Sequence, residues 1–339
     1  MPSLAQAYRS FFPIGAAVEP AGIKSHADLL IAQVNGLVAE NAMKWERIHP
    51  FAGDDLSAYS FADADAIADF AAAHKMKLRG HTLIWHKQTP KWVFEDKGGS
   101  PVPKAELNSC MEAHIWTLLA HFRGKIYCWD VVNEALSDGP EIWRTNSPWH
   151  RIAGSDDDGD GIPDYIVKAF RSARAADPAV KLLYNDYDID AGSKLEKAVM
   201  LAQKLKSLGL IDGIGIQGHW SIYSPDEDSV RRALRRFSSL GLEVQITELD
   251  LSMFRRGDAS SLQSLPPALE ELQAARYGAL FRVFREEAAA GNLAGVTFWG
   301  IADDHTWLDD FPVKSRKDWP LLFDSSQKPK KAFKAIANW

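Results

Sequence analysis

Two glutamates occupy positions that do not suit a surface acid. Glu134 lies in "DVVNEA" (130–135), directly after the β-branched and aromatic run "IYCW" (126–129) and next to the amide of Asn133. Glu248 lies in "QITELD" (245–250), again straight after an apolar run, with Asp250 two residues on. A solvated loop acid has no reason to follow an apolar strand twice. Two desolvated carboxylates, one protonated and one ionised, suit the cleavage of an acetal: the first assists the leaving oxygen and the second faces the developing cation. The aromatic residues point to the same chemistry. Most of the twelve tryptophans can be assigned to a large core, but Trp85, Trp299 and Trp307 fall near strand ends. Sugars present flat C–H faces ringed by hydroxyls, so a carbohydrate cleft needs aromatic platforms edged with amides, imidazoles and ammonium groups. "AENAMKWE" (39–46) and "RGHTLIWHKQ" (79–88) supply such an edge.

These residues need elements to place them. Short apolar runs predict strands at 14–18, 36–39, 77–83, 126–132, 181–184, 213–217, 243–247 and 295–299. Between them the helical period appears at 59–74, 106–121, 165–176, 195–208, 229–240 and 268–289. "ADP" (176–178) stops one helix, and "SLG" (207–209 and 239–241) twice supplies a glycine cap before a strand. Eight strands alternating with helices imply parallel pairing, in a closed barrel or an open doubly wound sheet. An open sheet gathers its ligand groups at one switch point. Here polar residues follow at least seven strands, which favours a single-domain (β/α)8 TIM barrel whose strand ends converge on one rim.

Composition excludes other classes. The formal charge is 39 − 45 = −6 without a basic stripe, so nucleic acid is not an expected partner. No apolar run is long enough to span a bilayer, and the N-terminus does not read as a signal peptide. Cys110 and Cys128 read as buried free thiols, in keeping with a cytoplasmic location.

"ENAMKWE", "RGHTLIWH", "WDVVNEA", "YNDY", "GIGIQGHW", "ITELD" and "TFWG…TW" occur in that order between about Ile14 and Phe333. Together they resemble glycoside hydrolase family 10, the endo-β-1,4-xylanases, and the stretch at 297–324 is similar to the family's intracellular members. The resemblance implies a retaining hydrolase of xylan or xylo-oligosaccharides that needs no cofactor for catalysis. It makes Glu134 the acid/base and Glu248 the nucleophile. Asn133 would bond the 2-hydroxyl of the attacked sugar, and His219, backed by Asp250, would hold Glu248 ionised. Glu40, Asn41, Lys44, His81, Trp85, Gln88, Gln217, Trp299 and Trp307 would line the glycone subsites. Asn185 and Tyr187 complete the substrate set, the tyrosine on the leaving-group side. The remaining alternatives are a barrel glycosidase acting on other β-1,4-glycans and a catalytically silent carbohydrate-binding barrel.

Three further motifs have competing readings. "GIGIQG" (213–218) matches a dinucleotide fingerprint in letters, but no helix is expected straight after it. His81 and His86 are spaced unfavourably for a metal pair. "SDDDGDGIPD" (155–164) reads as an insertion, with Asp156, Asp158, Asp160, the Ile162 carbonyl and Asp164 at calcium-loop spacing. Val167 stands where such a loop has its bidentate glutamate, so a structural calcium there is set against a plain acidic connection.

Overall fold

Eight parallel strands pair in sequence order, and the last pairs with the first, closing a barrel. They are β1 (Ile14–Val18), β2 (Gly36–Ala39), β3 (Lys77–Gly80), β4 (Cys128–Asn133), β5 (Lys181–Asp186), β6 (Gly213–Ile216), β7 (Glu243–Ser252) and β8 (Gly295–Phe298). The architecture is a single-domain (β/α)8 barrel, seen in a computed structural model that describes residues 1–53 and 55–337. Helices lie between successive strands, the longest being Lys104–His121 after β3 and Pro267–Ala289 after β7.

The local chemistry explains these elements. Nearly every strand residue is buried, so the strands read as continuous apolar runs rather than alternating ones. The helix Glu227–Ser238 is capped by Asp226, whose carboxylate accepts the Ser229 N–H at 2.7 Å. Gly209 (φ +69) and Gly241 (φ +70) end their helices in the left-handed region, as "SLG" predicts. On the outside of the barrel, Phe281 of the helix Pro267–Ala289 stacks on Phe298 of β8 at 5.8 Å.

Strand boundaries differ from the sequence reading at the polar ends. β5 continues through Asn185 and Asp186, and β7 continues through Glu248 and Asp250 to Ser252. Hydropathy stops at these residues, but they are buried within the barrel and remain in the ladder. Conversely, β3 ends at Gly80 and pairing resumes at Ile84–Trp85, where Trp85 lies opposite Asn133. His219–Ser221 likewise extends the rim after β6, with His219 opposite Asp250. Inside the barrel, a Cβ on Gly215 would lie 2.2 Å from the Asn185 side-chain oxygen, so only glycine leaves that amide its place.

Candidate active site

Glu134 and Glu248 are both brought to the C-terminal rim, and both are buried, at 6% and 4% exposure. Three amides connect them. Asn185 Nδ2 donates to Glu248 Oε1 at 2.7 Å and to Asn133 Oδ1 at 2.9 Å. Gln217 Nε2 donates to Glu134 Oε1 at 3.1 Å and to Asn133 Oδ1 at 3.3 Å. Turning the Asn133 amide over would instead direct its oxygen to Trp85 Nε1 (3.2 Å) and its nitrogen to the Asn185 carbonyl (3.0 Å).

The two carboxylates differ in what surrounds them. Glu248 Oε2 meets His219 Nε2 at 2.9 Å, and His81 Nδ1 stands 4.0 Å from Oε1. Burial pushes the Glu248 carboxyl up, but the His219 hydrogen bond, His81 and Asn185 outweigh it and hold it down, to about 2. His219 is the counterpart. Burial opposes its charge, yet Asp250, at 3.0 Å from Nδ1, and Glu248 raise it to about 10. Trp307 Nε1 donates to the same Asp250 oxygen at 2.8 Å, fixing that carboxylate from behind. By contrast, Glu134 Oε2 is buried without a hydrogen-bond partner. His86 Nε2 lies 4.0 Å from it, and burial lowers that imidazole to about 4, so it is neutral.

Aromatic and polar residues line the cleft beside the pair. Trp299 packs with Trp307, Ala17 and Val38 in a small apolar cluster at the barrel mouth. Trp307 lies against His219 (4.7 Å) and stacks on the exposed ring of Phe311 (4.9 Å, 19°). Lys44 Nζ sits 4.8 Å from the Trp85 ring and donates to Asn41 (3.0 Å) and Gln88 (2.9 Å). Its burial depresses its pKa, against the pull of Glu248, Glu40 and Glu134. Glu40 Oε2 meets His305 Nε2 at 2.9 Å.

A barrel carrying a buried carboxylate pair and an aromatic cleft on its C-terminal rim invites comparison with known carbohydrate enzymes. The model of "Glycosyl hydrolase family 10" matches residues 3–339. The chain belongs to glycosyl hydrolase family 10. This family 10 chain is 42% identical to endo-1,4-beta-xylanase B of Paenibacillus barcinonensis, over 98% of its own length and 97% of that protein's. It is 43% identical to the beta-1,4-xylanase of Dictyoglomus thermophilum, over 100% and 91% respectively. Among solved structures it is similar to an endo-1,4-beta-xylanase from Caldicellulosiruptor owensensis. The TM-score is 0.91 at 44% identity, with 100% of both chains covered.

The structure gathers Glu40, Asn41, Lys44, His81, Trp85, Gln88, Asn133, Gln217, His219, Trp299 and Trp307 around the pair, with Asp250 behind His219. Asn185 lies deeper, beneath the pair. It is fully buried, its amide nitrogen donating to Glu248 and Asn133 and its oxygen accepting from Thr247, an arrangement that braces the carboxylate. Tyr187 stands apart on the Glu134 side, its hydroxyl donating to Asp138 at 2.6 Å.

The calcium set in the loop 155–164 does not fit. Asp156 accepts the Gly161 N–H (2.8 Å), Asp160 accepts the Ile162 N–H (2.9 Å), and Asp158 pairs with Arg171 (3.1 Å). Asp164 is paired with Lys104, whose ammonium also reaches Asp157 (2.6 Å) and Ser155. Lys204 donates to the Asp160 and Gly161 carbonyls, each at 3.1 Å. Lys104 and Arg171 bring the positive charge to Asp157, Asp164 and Asp158, while Asp156 and Asp160 are turned to backbone N–H groups of the loop itself. Among the described residues, no group of three or more His, Cys, Asp or Glu side chains is placed to hold a metal.

Sequence reasoning missed Arg79, Asp130, Arg144, His305 and Phe311. Asp130 is fully buried between Arg79 (2.7 Å) and His81 (2.9 Å), and so it fixes the imidazole beside Glu248. An arginine inside the apolar run 77–83 was the available signal, since such a charge must be paired. No helix of the described residues is long and apolar enough to cross a membrane.

Proposed function

We propose that the protein is a retaining endo-1,4-β-xylanase with Glu134 as acid/base and Glu248 as nucleophile. The observation that carries the assignment is the unequal saturation of the two carboxylates. Glu248 is held ionised by His219, Asn185 and nearby His81, as attack on C1 requires. Glu134 keeps one oxygen unpartnered, which leaves it able to carry a proton to the glycosidic oxygen and later take one back.

In the first step the Glu248 oxygen forms a bond to C1 while the C1–O bond to the leaving sugar breaks. The proton of Glu134 goes to that oxygen. In the second step Glu134, now ionised, takes a proton from water as the water oxygen displaces Glu248 from C1, restoring the β configuration. A single layer of amides joins the two carboxylates. That closeness supports direct attack at about 5–5.5 Å over a water-spanning separation of about 6.5–9.5 Å. Asn133, at the centre of the layer, would bond the 2-hydroxyl of the attacked sugar. Trp85, Trp299 and Trp307 give its C–H faces a surface, and Glu40, Asn41, Lys44 and Gln88 give its hydroxyls partners. The named xylanase relatives support xylan and xylo-oligosaccharides as the substrate class.

Azide distinguishes the two roles. Glu134→Ala with azide and an activated aryl xylobioside should yield the β-xylobiosyl azide, because the covalent intermediate still forms on Glu248. Glu248→Ala should yield the α-azide, because azide enters directly from the vacated face. The opposite stereochemistry would reverse the roles, and products from cellohexaose but not xylohexaose would refute the substrate class.

A further inference from the structure

Glu134 has a backbone conformation that costs energy. Its φ is +57°, in the left-handed region that side chains with a Cβ rarely adopt. Such a residue persists only when its surroundings determine it, and here they do so from both sides. The N–H groups of Ala135 and Leu136 donate to Tyr184 Oη at 3.0 and 3.2 Å, and that hydroxyl donates to buried Asp186 at 2.5 Å. On the other side, Arg144 Nε donates to the Glu134 carbonyl at 2.9 Å. The same guanidinium donates through Nη2 to Tyr187 Oη at 2.8 Å and through both Nη atoms to Asp138 at 3.3 Å. Lys194 joins the two halves, bridging Asp138 (2.8 Å) and Asp186 (2.9 Å).

We propose that Arg144 is a positioning residue for proton transfer: its grip on the Glu134 carbonyl aims the unpartnered carboxyl oxygen at the leaving group. This inference rests on the reading of Glu134 as the acid/base. The carboxyl receives one firm side-chain donor, Gln217, so its direction is set mainly by the backbone that bears it. Arginine suits the task because its rigid fork reaches the carbonyl and the tyrosine at once. A lysine has the charge, but its donors radiate from one nitrogen and cannot reproduce the planar, spaced geometry of the guanidinium.

The test is a leaving-group series. Aryl β-xylobiosides from dinitrophenyl to phenyl, together with xylohexaose, are assayed with wild type, Arg144→Lys, Arg144→Ala and Glu134→Ala. Misdirected proton delivery should leave kcat/KM on the dinitrophenyl substrate within about threefold of wild type and lower it about 30-fold on xylohexaose, a part of the full general-acid contribution. The loss should reside in kcat and grow with the leaving-group pKa. A uniform loss across the series, or a loss confined to KM on xylohexaose, would overturn the proposal. Should Arg144→Ala not fold, Arg144→Lys and Asp138→Asn carry the same test, the latter with a smaller slope of the same sign. A flat series for Glu134→Ala would instead refute the acid/base assignment. A sloped Glu134→Ala series beside flat Arg144 variants would refute this proposal alone.

Discussion

The two halves of the site are held by different means. Glu248 sits within a regular strand, β7, and its side chain is held directly by His219 and Asn185, with a carboxylate and an indole behind the imidazole. Glu134 sits just past β4 in a left-handed conformation. Its backbone is held by Arg144 and its neighbours' N–H groups by Tyr184, while one carboxyl oxygen has no partner. A nucleophile stays ionised until it attacks, so saturation with donors suits it. An acid/base must change its protonation state twice per turnover, and each fixed donor would favour one of those states. The site therefore restrains one glutamate through its side chain and the other through its main chain.

That contrast can be broken most severely by deleting each carboxylate. Glu248→Ala should lower kcat on every substrate by about 10⁵-fold, the scale seen when a covalent nucleophile is removed. Glu134→Ala should lose about 10³-fold on xylohexaose, within the general-acid range, yet little in the first step with a dinitrophenyl leaving group. Burst and steady-state kinetics on both substrates would check this, and equal losses would erase the distinction between the halves. A smaller effect is expected from Asn185→Ala, which removes a donor from Glu248. It should cost about 10²-fold in kcat, the usual scale for one preorganised donor. Because it serves the nucleophile, its loss should not depend on the leaving group, unlike that of the Arg144 variants.

The mildest test alters charge without removing either glutamate. His219→Gln takes away the imidazolium that holds the Glu248 carboxyl low. The folded-state pKa of Glu248 should then rise, so the acidic limb of kcat/KM should move to higher pH, with a larger loss at pH 5 than at pH 7. Stability should respond at the opposite end. The His219 pKa is raised to about 10, so its contribution is complete below about 6.5 and is lost as pH rises through about 10. Thermal unfolding between pH 8 and 10.5 should show this decline in wild type and a shallower one in the variant. An unmoved acidic limb would mean that His219 does not control the ionisation of Glu248.

Much of this is legible in the sequence. The strands β1 and β2 match their apolar runs, because a parallel strand covered on both faces must be apolar along its whole length. The barrel, and the placing of Glu134 and Glu248 at strand ends, followed from acids and amides recurring after such runs. The boundaries failed where polarity and burial part company. Asn185 and Asp186 are fully buried yet polar, so a hydropathy reading ended β5 two residues early. The calcium reading rested on spacing, which shows the carboxylates of the loop 155–164 but not their partners: Arg171 at Asp158, and Lys104, about fifty residues away in sequence, at Asp157 and Asp164.

The sequence by itself pointed to the fold class through period and apolar runs, to the family through the resemblance of its ordered motifs, and to two glutamates that directly follow apolar runs. Only the tertiary structure decided that Asn185 braces Glu248, that Asp130 secures His81, and that Arg144 holds the main chain of Glu134. The reason is physical. These roles depend on hydrogen bonds of about 3 Å or less between groups ten to more than sixty residues apart, and chain closure into a barrel, not neighbourhood in sequence, brings most of those groups together.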